Sequence, residues 1–330
     1  MKNKKMRRIL AALVIVLVLA AGAVFGIANF LVNYAIGRAG DGGNRQVALD
    51  VEVTVEGIEK VIADNQTIEY EENKVFLEDH KESPVQIESA DGLLLNGAVY
   101  ENGDSHRWVI AIHGYRSRHE HMNTFVRHYV NAGFQVLTPD LRACGASEGD
   151  YVGMGWPDRK DILKWIDYIV ETDPQAEIVI HGISMGAATT MMTSGEETAD
   201  NVKVFVEDCG YTSVWDIFSS ELKLRFHLPT FPILNVASWI ATKKAGYDFT
   251  EASSLSQVSA CQKPMLFIHG TADDFIPYDM MGILYDAKPG DNKLSLTVEG
   301  AGHGQAMYPD PETYWNTVFD FIDEYMPLSE

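Results

Sequence analysis

The residues best placed to do chemistry begin with a serine between two glycines. His181-Gly182-Ile183-Ser184-Met185-Gly186-Ala187 reads G-x-S-x-G. An apolar-rich run, Glu177–Ile180, precedes it, and a helix-compatible run, Ala187–Met192, follows. That context predicts a sharp strand-to-helix turn that lifts the serine hydroxyl into the open. Gly182 and Gly186 remove Cβ atoms that such a turn cannot hold. A hydroxyl is a poor nucleophile until a base takes its proton, and a histidine base needs a carboxylate to hold its tautomer. Two later loops supply both. Asp273 lies in His269-Gly270-Thr271-Ala272-Asp273-Asp274-Phe275-Ile276-Pro277, and His303 lies in Gly300-Ala301-Gly302-His303-Gly304. Ser, then Asp, then His is one of the chain orders in which this triad occurs.

Other residues compete for these places. Asp274 is a rival acid whose alternative role is a solvated or turn-capping carboxylate. Asp208 is a second rival, because a carboxylate at that strand end can also reach a histidine. His113, His181 and His269 precede glycines at strand ends and read as structural hydrogen-bonders. His119 and His121 bracket Glu120, where an exposed helix start fits better than a metal site. Two backbone N–H groups are expected to face the developing oxyanion. Met185 offers one at the helix N-terminus. Tyr115 offers the other, in His113-Gly114-Tyr115-Arg116-Ser117, where Gly114 permits close backbone approach.

The elements that must position these residues alternate. A hairpin is expected from Val85–Glu88 and Leu93–Tyr100 around Ser89-Ala90-Asp91-Gly92. Trp108–Ile112 is a continuous apolar run, as in a strand buried on both faces. Helices over 122–132, 158–171, 279–287 and 312–324 alternate with strands over 134–138, 177–180, 202–207, 265–268 and 294–298. Such alternation predicts a mostly parallel sheet with helices on both faces and the site at the strand C-terminal ends. Tyr211–Lys263 interrupts the pattern. It is too long for a structureless loop and reads as short helices forming a cap.

Ahead of this domain, which begins near Pro84, stand two other segments. Ile9–Ala28 contains no charge, and twenty apolar residues at helical rise span a bilayer core. Lys2, Lys4, Lys5, Arg7 and Arg8 flank it, which places the N-terminus in the cytoplasm and the body outside. The alternative is a signal peptide cleaved near Ala21-Gly22-Ala23, after which the body would be secreted. Residues 1–35 thus read as a basic stub and anchor. Residues 36–83 read as a linker or stalk, with a short strand at Val51–Val55 and a helical turn at Ile58–Asn65. The formal net charge of −21 argues against nucleic acid as a partner. Three widely spaced cysteines imply neither a disulfide framework nor a metal site.

Five segments together resemble the α/β-hydrolase superfamily, and more narrowly bacterial membrane-anchored serine hydrolases of the dienelactone-hydrolase-like/Bem46-like group. They are Ile110–Tyr115, Asp140–Gly149, His181–Gly186, Ile268–Asp273 and Gly302-His303. The resemblance implies an α/β-hydrolase fold with a small helical cap. It implies Ser184 as nucleophile, His303 as base, Asp273 as its orienting acid, and Tyr115 and Met185 as oxyanion donors. Relatives usually read D-L-R-G-H-G where this chain has Ala143 and Cys144, a change beside the site. The expected function is carboxylic ester hydrolysis through an acyl-enzyme. It needs no cofactor or metal, and its partners are a small acyl ester and, through the first helix, the lipid bilayer. The same triad also serves peptidases, thioesterases and acyltransferases, and a surface binding protein could keep the fold without turnover.

Overall fold

The computed structural model describes residues 2–38 and 55–327. The described residues form an eight-stranded sheet. Strands β1 (Ser83–Glu88) and β2 (Leu94–Tyr100) make the expected antiparallel hairpin. The others are β3 (Arg107–Ile112), β4 (Gln135–Pro139), β5 (Glu177–Ile183), β6 (Val202–Asp208), β7 (Met265–Gly270) and β8 (Lys293–Val298). Their order is β1-β2-β4-β3-β5-β6-β7-β8. β2 and β4 pair antiparallel, and every pair from β4 to β8 is parallel.

Both faces of the sheet are covered, as the apolar runs require. Trp108, Ile110 and Ile112 of β3 enter one core, and Val109 and Ala111 enter the other. The second core is closed by α3 (Asn123–Asn131) and α10 (Pro311–Tyr325) through Phe125, Tyr129, Trp315 and Val318. The first is closed by α4 (Asp158–Thr172), α5 (Met185–Ser194) and α9 (Asp279–Ala287) through Trp165, Met191 and Leu284.

Tyr211–Lys263 contains three helices: α6 (Val214–Phe226), α7 (Thr230–Lys244) and α8 (Ser254–Val258). Ser213 and Ser253 cap α6 and α8, each accepting a backbone N–H three residues on, and bridge to one another. This stitches the base of the insertion together.

The N-terminal third differs most from expectation. The expected strand at Val51–Val55 falls almost wholly outside the described residues. The single turn expected over Ile58–Asn65 is a 22-residue helix, α2 (Ile58–Asp79). Its buried face mixes Ile58, Ile62 and Phe76 with Glu69 and Asn73. Arg127 of α3 pairs with Glu69, and its Nε donates to Asn73 Oδ1 at 2.9 Å. Helix α1 (Lys2–Ile36) runs eight residues past the expected span to Ile36. Its first half, including Ile9, Leu13 and Leu17, is exposed, with mean hydropathy 2.9 over the apolar window. Its last turns are not: Ala28, Val32 and Ile36, spaced four apart, are at most 1% exposed and join the main core.

The carbonyls that end α1 have no helical partners of their own, and the domain supplies them. Tyr115 Oη donates to Ala35 O. Arg116 Nη2 donates to Tyr34 O at 2.9 Å and Gly37 O at 2.8 Å. The N–H of Val152 donates to Ile36 O at 2.7 Å.

Candidate active site

Ser184 sits where β5 turns into α5, with φ 58° and ψ −117°. A non-glycine residue in this region is strained, and the surroundings must hold it there. Close backbone crossings do so. A Cβ on Gly186 would lie 2.1 Å from Ile112 O, and one on Gly182 would lie 2.0 Å from Gly186 O. Only glycine lets β3, β5 and α5 meet so closely. The N–H of Ser184 donates to Asp208 O at 2.8 Å, fixing the turn to β6.

The three residues expected to act together do converge. Ser184 Oγ lies 2.9 Å from His303 Nε2, and His303 Nδ1 lies 2.8 Å from Asp273 Oδ2. Asp273 Oδ1 accepts the N–H groups of Phe275 and Ile276, both at 2.8 Å. His269 Nε2 lies 3.1 Å from Asp273 Oδ2. Burial opposes ionisation of Asp273. The hydrogen bonds and charge of His269 and His303 outweigh it, holding this carboxyl well below the usual carboxylate range. An ionised Asp273 keeps the His303 proton on Nδ1 and leaves Nε2 free to accept from Ser184. Phe275 packs edge-on to the His303 ring at 5.0 Å between centroids.

The rival acids stand elsewhere. Asp208 Oδ2 accepts from Tyr314 Oη at 2.8 Å, and burial pushes its carboxyl up to about 6. Asp274 lines the cavity in front of Ser184. The strand-end histidines make structural bonds. Buried His113 bonds Gly114 O through Nδ1 and accepts from the N–H of Leu141; burial lowers it to about 4. Buried His181, lowered to about 3, bonds Tyr129. Buried His269 bonds Ile276 O through Nε2 at 3.1 Å and also stands beside the Asp273 carboxylate.

Met185 is the first residue of α5, so its N–H has no partner within the helix. Gly114 lies against the serine: a Cβ there would be 3.4 Å from Ser184 Cβ. Tyr115, next to Gly114, and Met185 line the same cavity as Ser184. Ala143 and Cys144, where the chain departs from the D-L-R-G-H-G pattern, are buried in the core, and neither lines the cavity. Two groups among the described residues could converge on a cation. Cys209, Asp273 and His303 use the atoms just described. The other is His119, Glu120 and Asp140, where both Asp140 oxygens already accept backbone N–H groups. His121 instead bonds Ser117.

In front of Ser184 and His303 opens a cavity of about 480 Å³. Its walls are largely apolar: Ile217, Leu222 and Phe226 of α6, Ile233, Leu234 and Ala237 of α7, and Phe249. One wall went unnoticed in the sequence. Leu31, Val32, Tyr34 and Ala35 of α1 line the same cavity. The signal was the apolar run continuing past Ala28 to Ile36, longer than a bilayer core needs. The hold of Tyr115 and Arg116 on the end of α1 had no signal in the sequence.

Known proteins resemble this chain in sequence and in fold. Residues 121–328 match the prolyl oligopeptidase family. The Bacillus subtilis protein YqkD is 28% identical over 245 residues, covering 74% of this chain and 80% of its own. The Saccharomyces cerevisiae membrane protein YNL320W is 23% identical over 202 residues, covering 59% and 63%. The solved structure of the Pyrococcus furiosus esterase Pf2001 superposes with a TM-score of 0.60 at 22% identity, over 75% of this chain and 94% of that one. With the family match spanning more than half of the sequence, the chain belongs to the prolyl oligopeptidase family and is a hydrolase of the α/β superfamily.

Proposed function

We propose that the chain is a serine esterase anchored in a membrane by α1, with its N-terminus cytoplasmic and its catalytic domain on the far side. The observation that carries the catalytic reading is the hydrogen-bonded line from Asp273 through His303 to Ser184, with steps of 2.8 and 2.9 Å. In the first half-reaction, His303 Nε2 takes the Ser184 proton as Oγ attacks the ester carbonyl. The N–H groups of Met185 and Tyr115 bind the oxyanion, each contributing on the order of 10²–10³ in rate. The alcohol leaves with the proton from His303, and an acyl-enzyme remains. Water then attacks it, giving its proton to His303, and the acid and free Ser184 are released.

Ester rather than peptide as substrate is supported by the cavity walls, where apolar side chains outnumber the polar ones such as Tyr34, Glu221 and Arg225. A peptidase reading is favoured by the family match instead. Profiling p-nitrophenyl butyrate, a thioester and an acyl-peptide p-nitroanilide with the full-length protein separates them. Ester turnover that disappears in Ser184→Ala is expected. Preferential cleavage of the anilide would move the assignment to peptidase.

A further inference from the structure

The docked end of α1 joins three features that no single element explains. The first is register. Counted from Ile9, just after Arg7 and Arg8, the twenty residues that cross about 30 Å of hydrocarbon end at Ala28. Yet α1 meets the cap before that point: Phe25 and Trp239 of α7 pair with ring centroids 6.5 Å apart. If α1 spans a bilayer, α7 is held at the bilayer surface.

The second is the outward side of this cap. Trp239 is 56% exposed and Phe231 is 76% exposed, and Phe25, the ring partner of Trp239, and Phe30 of α1 are exposed as well. Lys243 and Lys244 close α7, and Lys244 Nζ bonds Asn33 Oδ1 at 2.9 Å. Tryptophan with lysine at the end of an apolar span is the composition of a membrane–water interface. The third is the cavity. Its α1 wall of Leu31, Val32 and Ala35 lies one to two turns beyond Ala28 and faces Ile233 and Leu234 of α7. Apolar side chains of α1 and α7 thus share one cavity with Ser184, alongside Tyr34, Glu221 and Arg225.

We propose that the substrate of this site is a single-chain lipid ester taken from the leaflet on the catalytic-domain side, its acyl chain lying between α1 and α7. This deepens the esterase reading and rests on it. One cavity of about 480 Å³ matches a single small ligand. The acyl chain leaves one apolar environment for another, so extraction costs little hydrophobic free energy. The carbonyl is delivered to Ser184, at the deep end. Hydrolysis of a monoacylglycerol by this route consumes one water and yields a fatty acid and glycerol.

The test uses full-length protein in dioleoylphosphatidylcholine vesicles carrying a few mole per cent of 1-oleoylglycerol, with p-nitrophenyl acetate as the soluble control. Phe231 and Trp239 lie outside the cavity lining. Phe231→Glu combined with Trp239→Glu is expected to slow release of oleate at least about tenfold, because charge is costly near the bilayer core. Hydrolysis of p-nitrophenyl acetate should stay within about twofold, since neither side chain lines the cavity. Leu31→Trp fills the cavity from the α1 side and should lower the ratio of p-nitrophenyl octanoate to butyrate turnover. The proposal is overturned if the double variant releases oleate at the wild-type rate, including the case where it only converts a dimer to a monomer. It is also overturned if wild-type protein cleaves the acetate but leaves vesicle-borne oleoylglycerol intact. Failure of the esterase reading looks different: neither ester is cleaved by wild-type protein.

Discussion

Replacing Asp273 by asparagine tests the electrostatic half of the site while keeping its shape. Three groups donate to this carboxylate, His303 Nδ1 and the N–H groups of Phe275 and Ile276, and His269 Nε2 lies 3.1 Å from it. The amide oxygen of asparagine can keep both backbone bonds on the Oδ1 side. Its NH2 then faces His303 Nδ1, which must become an acceptor. The imidazole proton moves to Nε2, where it points at Ser184 Oγ and can no longer receive the serine proton. Loss of a correctly oriented base of this kind lowers kcat by about 10⁴, or ~5.4 kcal/mol of transition-state stabilisation. The assay is p-nitrophenyl butyrate hydrolysis by Asp273→Asn and, in parallel, Asp208→Asn. The second variant keeps an acceptor for Tyr314 and should retain activity within about tenfold. Near-normal kcat in Asp273→Asn together with a collapse in Asp208→Asn would refute the reasoning and make Asp208 the acid.

Other expectations follow from the same contacts. Gly186→Ala places a Cβ 2.1 Å from Ile112 O and should destabilise the fold by about 1–3 kcal/mol or more, read from urea unfolding; an unchanged midpoint would contradict the crossing. Burial pushes Glu207 up to about 8 and Asp158 up to about 7, against ordinary carboxyl values near 4. The folded state therefore holds more protons between about pH 4 and 8, and the contribution of these groups to stability is lost as pH rises through that window. Urea midpoints should fall from pH 5 to pH 8, and Glu207→Gln should flatten the slope; a slope unchanged by that substitution counts against it. Dialysis against EDTA should leave ester hydrolysis intact, since the proposed roles of Ser184, His303 and Asp273 call for no metal. A loss of activity restored by zinc would point instead to Cys209, Asp273 and His303 as a metal site.

Much of the sheet could be read from the chain because β3, β5 and β7 carry unbroken apolar runs, Trp108–Ile112, Ile178–Ile180 and Met265–Ile268, each followed by a His-Gly pair. Ser184 stood out for a steric reason: flanking glycines are required where backbones cross within van der Waals distance. Asp273 and His303 stood out because their loops follow β7 and β8, whose C-terminal ends open on one edge. What stayed hidden has physical causes too. An apolar helical residue reads the same whether it faces lipid or protein, so the turn from Ala28 to Ile36 looked like more anchor. Helix α2 escaped notice because part of its buried face is Glu69 and Asn73, satisfied by Arg127 some fifty residues away in sequence. Hydrophobic periodicity cannot register a face buried through paired polar groups. His269 makes the structural bond expected of it, to Ile276 O, but its closeness to the Asp273 carboxylate was hidden because nothing local to His269-Gly270 signals it.

The most direct test of the central claim is covalent. Full-length protein is treated with a fluorophosphonate probe and digested, and the adduct is located by mass spectrometry, with Ser184→Ala and His303→Ala alongside. The expected result is one adduct, on the peptide bearing Ser184, absent in Ser184→Ala and formed far more slowly in His303→Ala. A folded protein that forms no adduct, or forms it at another serine, would contradict the assignment of Ser184 as an activated nucleophile.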